Sequence, residues 1–213
     1  MVAEANLKLG GIDVLVLNHI IGMYDDWAAH LMKGHATNKI DNDMDWVDKL
    51  FKVNILSYIY ISSYALPALA NSKEGGRIIA VGSMAGRQGL ARVAPYASTK
   101  HAMFGYFDSL RQDIIASPDP KVRSISITTG VLGAFATETA KAGTKGKLDD
   151  GMVPWNDPSV ASHDLLKAGA RKWQTVFTPW HQLRVAALLH GFAPEIMESL
   201  TRYVTLSGEI KQE

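Results

Sequence analysis

Four short apolar runs, each separated from the next by a helical stretch, constrain the fold of this 213-residue chain more than any other feature. Residues 12–17, 77–81, 121–128 and 174–177 are rich in Val, Ile, Leu and Thr and read as strands. Residues 43–69, 96–116 and 158–172 read as helices; in the first, Trp46, Leu50, Val53, Ser57 and Ile61 recur at helical spacing. Asp41 or Asp43 is its expected cap, and Pro67 is expected to kink its final turn. Gly75-Gly76 marks a turn before the second strand, and Pro118 and Pro120 stop the second helix. Alternation of strand and helix predicts a parallel sheet with helices on its faces. Residues 23–42 read as a loop with helical pieces, 82–95 as a loop carrying Gly86 and Gly89, and 130–157 as a flexible stretch. No linker divides the chain, so residues 1–213 are expected to form one domain. Residues 178–213 form an apolar helical tail, helical over 180–206 and interrupted at Gly191 and Pro194.

Chemistry enters at the end of the second strand. Ser83 closes the run that begins at Arg77, and Tyr96 and Lys100 follow in Tyr96-Ala97-Ser98-Thr99-Lys100. Residues four apart share one helix face. A tyrosine hydroxyl, with an ordinary pKa of about 10, moves protons poorly near neutrality. A neighbouring ammonium favours the phenolate and is expected to lower that value. A carbonyl bound between Ser83 and Tyr96 could take a hydride on carbon and a proton on oxygen. Ser98 and Thr99 are expected to be first-turn helix residues without chemistry.

These residues resemble the short-chain dehydrogenase/reductase family, and more narrowly its 11-beta-hydroxysteroid dehydrogenase branch. Asp13-Val14-Leu15-Val16-Leu17-Asn18-His19-Ile20, Val53-Asn54-Ile55-Leu56-Ser57-Tyr58 and Ala65-Leu66-Pro67 carry the resemblance, together with Val131-Leu132-Gly133 and Thr137-Glu138-Thr139. Most of the family has Asn-Asn-Ala-Gly where this chain has Leu17-Asn18-His19-Ile20, and Pro-Gly where it has Leu132-Gly133; both departures match the steroid branch. The resemblance covers residues 9–178.

The resemblance implies a Rossmann-like, doubly wound α/β sheet of order 3-2-1-4-5-6-7, and it aligns residues 12–17 with the fourth strand. The Thr-Gly-x-x-x-Gly-x-Gly turn that cradles a dinucleotide pyrophosphate is not in the sequence, and Gly10-Gly11 precedes a strand instead of following one. The expected fold is therefore an incomplete sheet lacking its first strands and Gly-rich loop, as in an N-terminally truncated product. Its first strand would present an open apolar edge, which is an aggregation hazard.

The resemblance assigns Tyr96 as acid/base, Ser83 as the hydrogen-bonding group on the substrate oxygen, Lys100 as electrostatic tuner and Asn54 as holder of a water leading to the lysine. It places the substrate between Ser83 and Tyr96. It puts Asn18, His19, Ile20, Tyr96, Lys100, Phe135, Thr137 and Thr139 around the cofactor. An asparagine inside an apolar helix disfavours that helix, which singles out Asn54 independently. Two other readings stand beside these: Asn54 as a satisfied buried amide linking two elements, and Thr137 and Thr139 as caps of the following helix. The implied reaction is NADP(H)-dependent hydride transfer to or from a hydroxyl or ketone of a hydrophobic, steroid-like substrate. The alternative is a catalytically inactive chain that binds no cofactor and acts through protein or membrane contacts. The resemblance also implies a homodimer, contact of the tail with a membrane surface, and association with the endoplasmic reticulum. Composition excludes other classes: a net charge of +1 leaves no nucleic-acid footprint, and the absence of cysteine excludes disulfides and thiolate metal sites. The seven histidines lack metal-ligand spacing, and no long uninterrupted apolar stretch or signal sequence is visible.

Overall fold

A computed structural model describes residues 1–22, 26–37, 40–144 and 155–209. The remainder of the expectations for 23–42 and 130–157 lies outside the described residues. Strands β1 (Val14–Leu17), β2 (Arg77–Val81), β3 (Ser126–Leu132) and β4 (Thr175–Thr178) form one parallel sheet in the order β1-β2-β3-β4. Consecutive order and parallel pairing are what the resemblance implies for these strands.

The elements alternate around the sheet. Helix α1 (Val2–Leu9) precedes β1, and α2 (Trp27–Thr37), α3 (Ile40–Phe51), a π-helical turn (Lys52–Leu56) and α4 (Ser57–Ala70) lead to β2. Helix α5 (Ala94–Ala116) and the short α6 (Pro120–Arg123) lead to β3; α7 (Glu138–Thr144) and α8 (Pro158–Ala170) lead to β4, and α9 (Trp180–Phe192) and α10 (Pro194–Glu209) close the chain. β2 and β3 are buried almost throughout, which explains their near-continuous apolar composition. Ile78 and Ala80 face a core with Leu17 of β1, Tyr58, Ala65 and Leu69 of α4, and Met103, Phe104 and Phe107 of α5. Ile79 and Val81 face the opposite side, against Leu165 and Ala168 of α8. Arg111, 8% exposed, pins α5 to the sheet through Ile127 O (3.3 Å), Gln174 O (3.2 Å) and the Asp108 carboxylate (2.9 Å).

Several expected boundaries move. Residues 121–123 are helical, not strand, because Asp119 accepts from Lys121 N and Pro120 opens the turn; the strand runs instead from Ser126 through Gly130 to Leu132. Part of the expected flexible stretch is thus sheet, and part is α7. Helix α3 starts at Ile40, so Asp41 and Asp43 lie inside its first turn and do not precede it. The tail breaks at Ala193, before Pro194, while Gly191 stays within α9. Helical backbone over Met44–Ala70 is long and apolar enough to cross a membrane by length and composition, against the expectation of no such stretch. Tyr58, Ser62, Ala65 and Leu69 of that segment are buried in this protein's own core. The open edge is present: among the described residues no strand pairs with the outer side of β1, and Val14 and Val16 are 42% and 47% exposed.

Candidate active site

The site is built where β2 ends. Gly82 follows Val81 because a Cβ there would lie 2.5 Å from the Phe104 ring and 2.6 Å from Gly130 O. Ser83 is extended and caps the 3-10 turn Met84–Gly86, its hydroxyl oxygen accepting from Ala85 N at 3.2 Å. That bond orients Oγ, and the Ser83 side chain also hydrogen-bonds Tyr96. Gly86 admits α5 at close range, since a Cβ there would meet Lys100 O at 2.7 Å. Helix α5 opens with Pro95 in its first turn and carries Tyr96 and Lys100 inward.

Lys100 is 1% exposed. Its Nζ donates to Val81 O at 3.0 Å and stands 5.9 Å from the Tyr96 ring centroid and 5.6 Å from that of Tyr58. Among the described residues no carboxylate pairs with it. Burial therefore lowers its pKa from 10.5 to about 8. Tyr96 departs from the sequence expectation. Burial raises its pKa to about 12, and a hydrogen bond with the Ser83 side chain pulls only partly the other way. Desolvation of the phenolate is the largest effect, and the ammonium stands over the ring face. The resting phenol is consequently protonated at neutral pH. In this state it can donate a proton beside a serine hydroxyl.

Asn54 sits in the π-helical turn and is fully buried. Such turns insert one extra residue and re-aim side chains. Its Oδ1 accepts from Ile21 N (2.9 Å), and its Nδ2 donates to Ile21 O (2.8 Å) and Thr99 Oγ1 (3.3 Å). Thr99 in turn donates to Tyr96 O at 2.7 Å. Both amide protons of Asn54 are used in joining the segment after β1 to α5. Only a lone pair of its Oδ1 remains for a water. Thr99 is fully buried and holds this junction.

Asn18, His19 and Ile20 follow β1 and are exposed at the carboxyl edge of the sheet. His19 belongs to the same group as the triad: burial and then the charge of Lys100 hold its imidazole below the usual value. Phe135 is buried, bridged to Asn156. Thr137 and Thr139 are exposed; Thr137 Oγ1 accepts from Ala140 N (3.2 Å) as the cap of α7, the alternative role named for it above. Among the described residues no hydrogen bond joins Thr137 or Thr139 to Ser83, Tyr96 or Lys100. Ser57 and Tyr58 escaped the sequence reading of the site. Their spacing from Asn54, three and four residues on one helix face, is the signal that could have found them. Two surface hollows, one around Ala70 and Lys121 and one around Val2 and Tyr64, lie away from this group. The described residues contain no cluster of metal-ligating side chains.

Comparison with known proteins bears on the family and the fold. The family described as short chain dehydrogenase matches residues 1–146. A hydroxysteroid 11-beta-dehydrogenase 1-like protein of Xenopus tropicalis is 34% identical over 180 residues, covering 84% of this chain and 56% of the relative. Its namesake in Danio rerio is 31% identical over 194 residues, covering 91% and 60%. The chain thus spans little more than half the length of these curated relatives. Among solved structures, an oxidoreductase of E. coli superposes with a TM-score of 0.64 at 16% identity, covering 83% of this chain and 65% of that one. Acetoin dehydrogenase from Enterobacter cloacae gives 0.62 at 18%, covering 83% and 66%. At such identities these structures speak for the fold alone. Matched over more than half its length by the family profile and folded on the same parallel sheet, the chain belongs to the short-chain dehydrogenase family.

Proposed function

We propose that this chain carries the proton-transfer machinery of an oxidoreductase that moves a hydride between NADP(H) and the hydroxyl or ketone of a hydrophobic, steroid-like substrate. One observation carries the reading: where β2 ends, Ser83 opens the turn beside α5, and the buried Lys100 of that helix donates to Val81 O and stands over the Tyr96 ring. The substrate class is suggested by the names of the relatives, which are hydroxysteroid 11-beta-dehydrogenase 1-like proteins.

The nicotinamide end of such a cofactor fits the residues present. Lys100 uses one of its three protons on Val81 O and keeps two for ribose hydroxyls, His19 lies within reach of its charge, and Asn18, His19 and Ile20 are exposed after β1. The pyrophosphate end has no cradle among the described residues. Gly82, Gly86 and Gly130, which lie at strand ends or in the serine turn, have their Cβ directions filled by Phe104, Lys100 and Leu165.

When bound, the nicotinamide supplies or accepts the hydride. Ser83 turns its proton to the substrate oxygen while Ala85 N–H fixes its own oxygen. Tyr96, protonated at rest, gives its proton to that oxygen as negative charge grows there. Lys100 stabilises the phenolate left behind. A water on the remaining Asn54 lone pair would return the proton from solvent.

A second reading is favoured by the exposed apolar side chains of the tail. In it the triad is inherited but idle, and the chain acts through contacts. The exposed Trp180, Phe192, Ile196 and Tyr203 of α9 and α10 would then meet a second copy or a membrane surface. Titration of the purified chain with NADPH, followed by cofactor fluorescence, separates the two. Saturation in the micromolar range, weakened by Lys100→Met, supports the hydride-transfer reading. Silence at millimolar NADPH supports the idle one.

A further inference from the structure

We propose that Tyr58 is a positioning residue, holding the Lys100 ammonium between its own ring and that of Tyr96 while its hydroxyl fixes the segment after β1. The inference rests on the hydride-transfer reading only for what the lysine is for.

Three contacts meet on this one fully buried side chain. Its hydroxyl donates to His19 O at 2.9 Å. Its ring takes the His19 ring edge-on, with centroids 4.7 Å apart at 61°. Its ring centroid lies 5.6 Å from Lys100 Nζ, while that of Tyr96 lies 5.9 Å from the same atom. A cation within about 6 Å of an aromatic centroid is attracted by the ring quadrupole, most strongly where water is excluded. The groups facing Lys100 are Tyr96 on its own helix, Tyr58 from α4, His19 from the segment after β1, and Val81 O from β2. None of them carries a negative charge at neutral pH, so the two rings and one carbonyl are what hold the ammonium. Burial keeps the Tyr58 phenol well above its ordinary pKa, and the neighbouring Tyr96 adds to this, so its hydroxyl remains a donor to His19 O.

Ser57 completes the arrangement. Its hydroxyl donates to Val53 O at 2.6 Å and so must accept from His19 Nε2, also at 2.6 Å. The imidazole therefore carries its hydrogen on Nε2. Asn54, Ser57 and Tyr58 lie at i, i+3 and i+4, and together they grip both His19 and Ile21. A single helix face thus sets the cofactor-side wall and the lysine at once.

The test reads Lys100 and His19 directly by NMR on the full chain with carbon-13 lysine and histidine, Lys100→Arg serving to assign the signal. In the wild type, nuclear Overhauser contacts are expected between the Lys100 ε protons and the Tyr58 ring; their absence overturns the proposal without any variant. In Tyr58→Phe the ring remains, so Lys100 titrates as before. His19 moves up toward its ordinary pKa, and amide exchange of residues 19–21 accelerates at least tenfold. In Tyr58→Leu the ring face is lost, and the Lys100 transition moves down by about half a unit to one unit. A Tyr58→Phe chain with unchanged His19 and exchange, or a folded Tyr58→Leu chain with unmoved Lys100, contradicts it. NADPH titration of the same samples separates the premises. Lys100 displaced with no cofactor binding in the wild type leaves the positioning standing and removes the hydride reading. Cofactor binding with Lys100 unmoved does the reverse.

Discussion

A buried amine and a buried phenol have opposite consequences for stability, and each predicts its own pH window. The Lys100 pKa falls from 10.5 unfolded to about 8 folded, so the fold favours the neutral amine. That contribution is fully present above 10.5 and is lost as pH falls through 8. Tyr96 rises from 10 to about 12, so its contribution is full below 10 and is lost as pH climbs through 12. Stability should therefore rise between pH 8 and 10, by on the order of 3 kcal/mol if the whole lysine shift were expressed. Urea midpoints measured across that window should show the rise in the wild type and a flat line in Lys100→Met; parallel lines would refute the assignment. Asn54→Ala strands Ile21 N–H, Ile21 C=O and the Thr99 hydroxyl, at a cost of about 2–4 kcal/mol by urea unfolding. The sequence exposed the identities of these residues but not their ionisation. The four-residue spacing of Tyr96 and Lys100 says that they are neighbours. It does not say that the ammonium sits over the ring, or that burial is the largest effect on the phenol.

Elements were legible where both faces of a strand are apolar. Residues 77–81 have a core on each side, and the run of Ile, Ala and Val reveals it. The π-helical turn Lys52–Leu56 was not legible, since nothing in Lys-Val-Asn-Ile-Leu distinguishes it from an α-helix except an asparagine among apolar residues. The start of β3 was misplaced because Val122 continues the alternation, while Asp119 and Pro120 commit the backbone to a helical turn. The serine turn meets α5 at Gly86, where a Cβ would fall 2.7 Å from Lys100 O, a backbone atom that cannot step aside alone. Gly86→Ala should therefore destabilise by about 1–3 kcal/mol and shift the amide resonances of residues 96–100. An alanine variant with wild-type stability and spectrum would show that the approach is looser. The β1 edge makes a prediction of its own. Val14 and Val16 are exposed on β1, whose outer side no strand pairs among the described residues, so Val16→Lys should raise the concentration at which light scattering begins and leave the unfolding free energy within about 0.5 kcal/mol.

At the scale of the whole molecule, the parallel sheet gathers chemistry from elements far apart in sequence. Asn18 to Ile21 come from the segment after β1, Asn54 to Tyr58 from the π-turn and α4, Ser83 from the end of β2, and Tyr96 to Lys100 from α5. Hydrogen bonds join Asn54 to Ile21 and Thr99 and Tyr58 to His19, while Lys100 donates to Val81 O and lies near the rings of Tyr58 and Tyr96. Strand alternation made the sheet readable and the Ser–Tyr–Lys spacing made the site readable, but the wiring through Thr99 and Tyr58 is a product of packing. The most direct test of the account is turnover. NADPH consumption by the purified chain, offered hydrophobic ketones including steroids, should be measurable and should fall at least about a hundredfold in Tyr96→Phe, as expected when a general acid is removed. Equal rates in the two proteins, or no consumption by either, would contradict the claim that Tyr96 donates the proton.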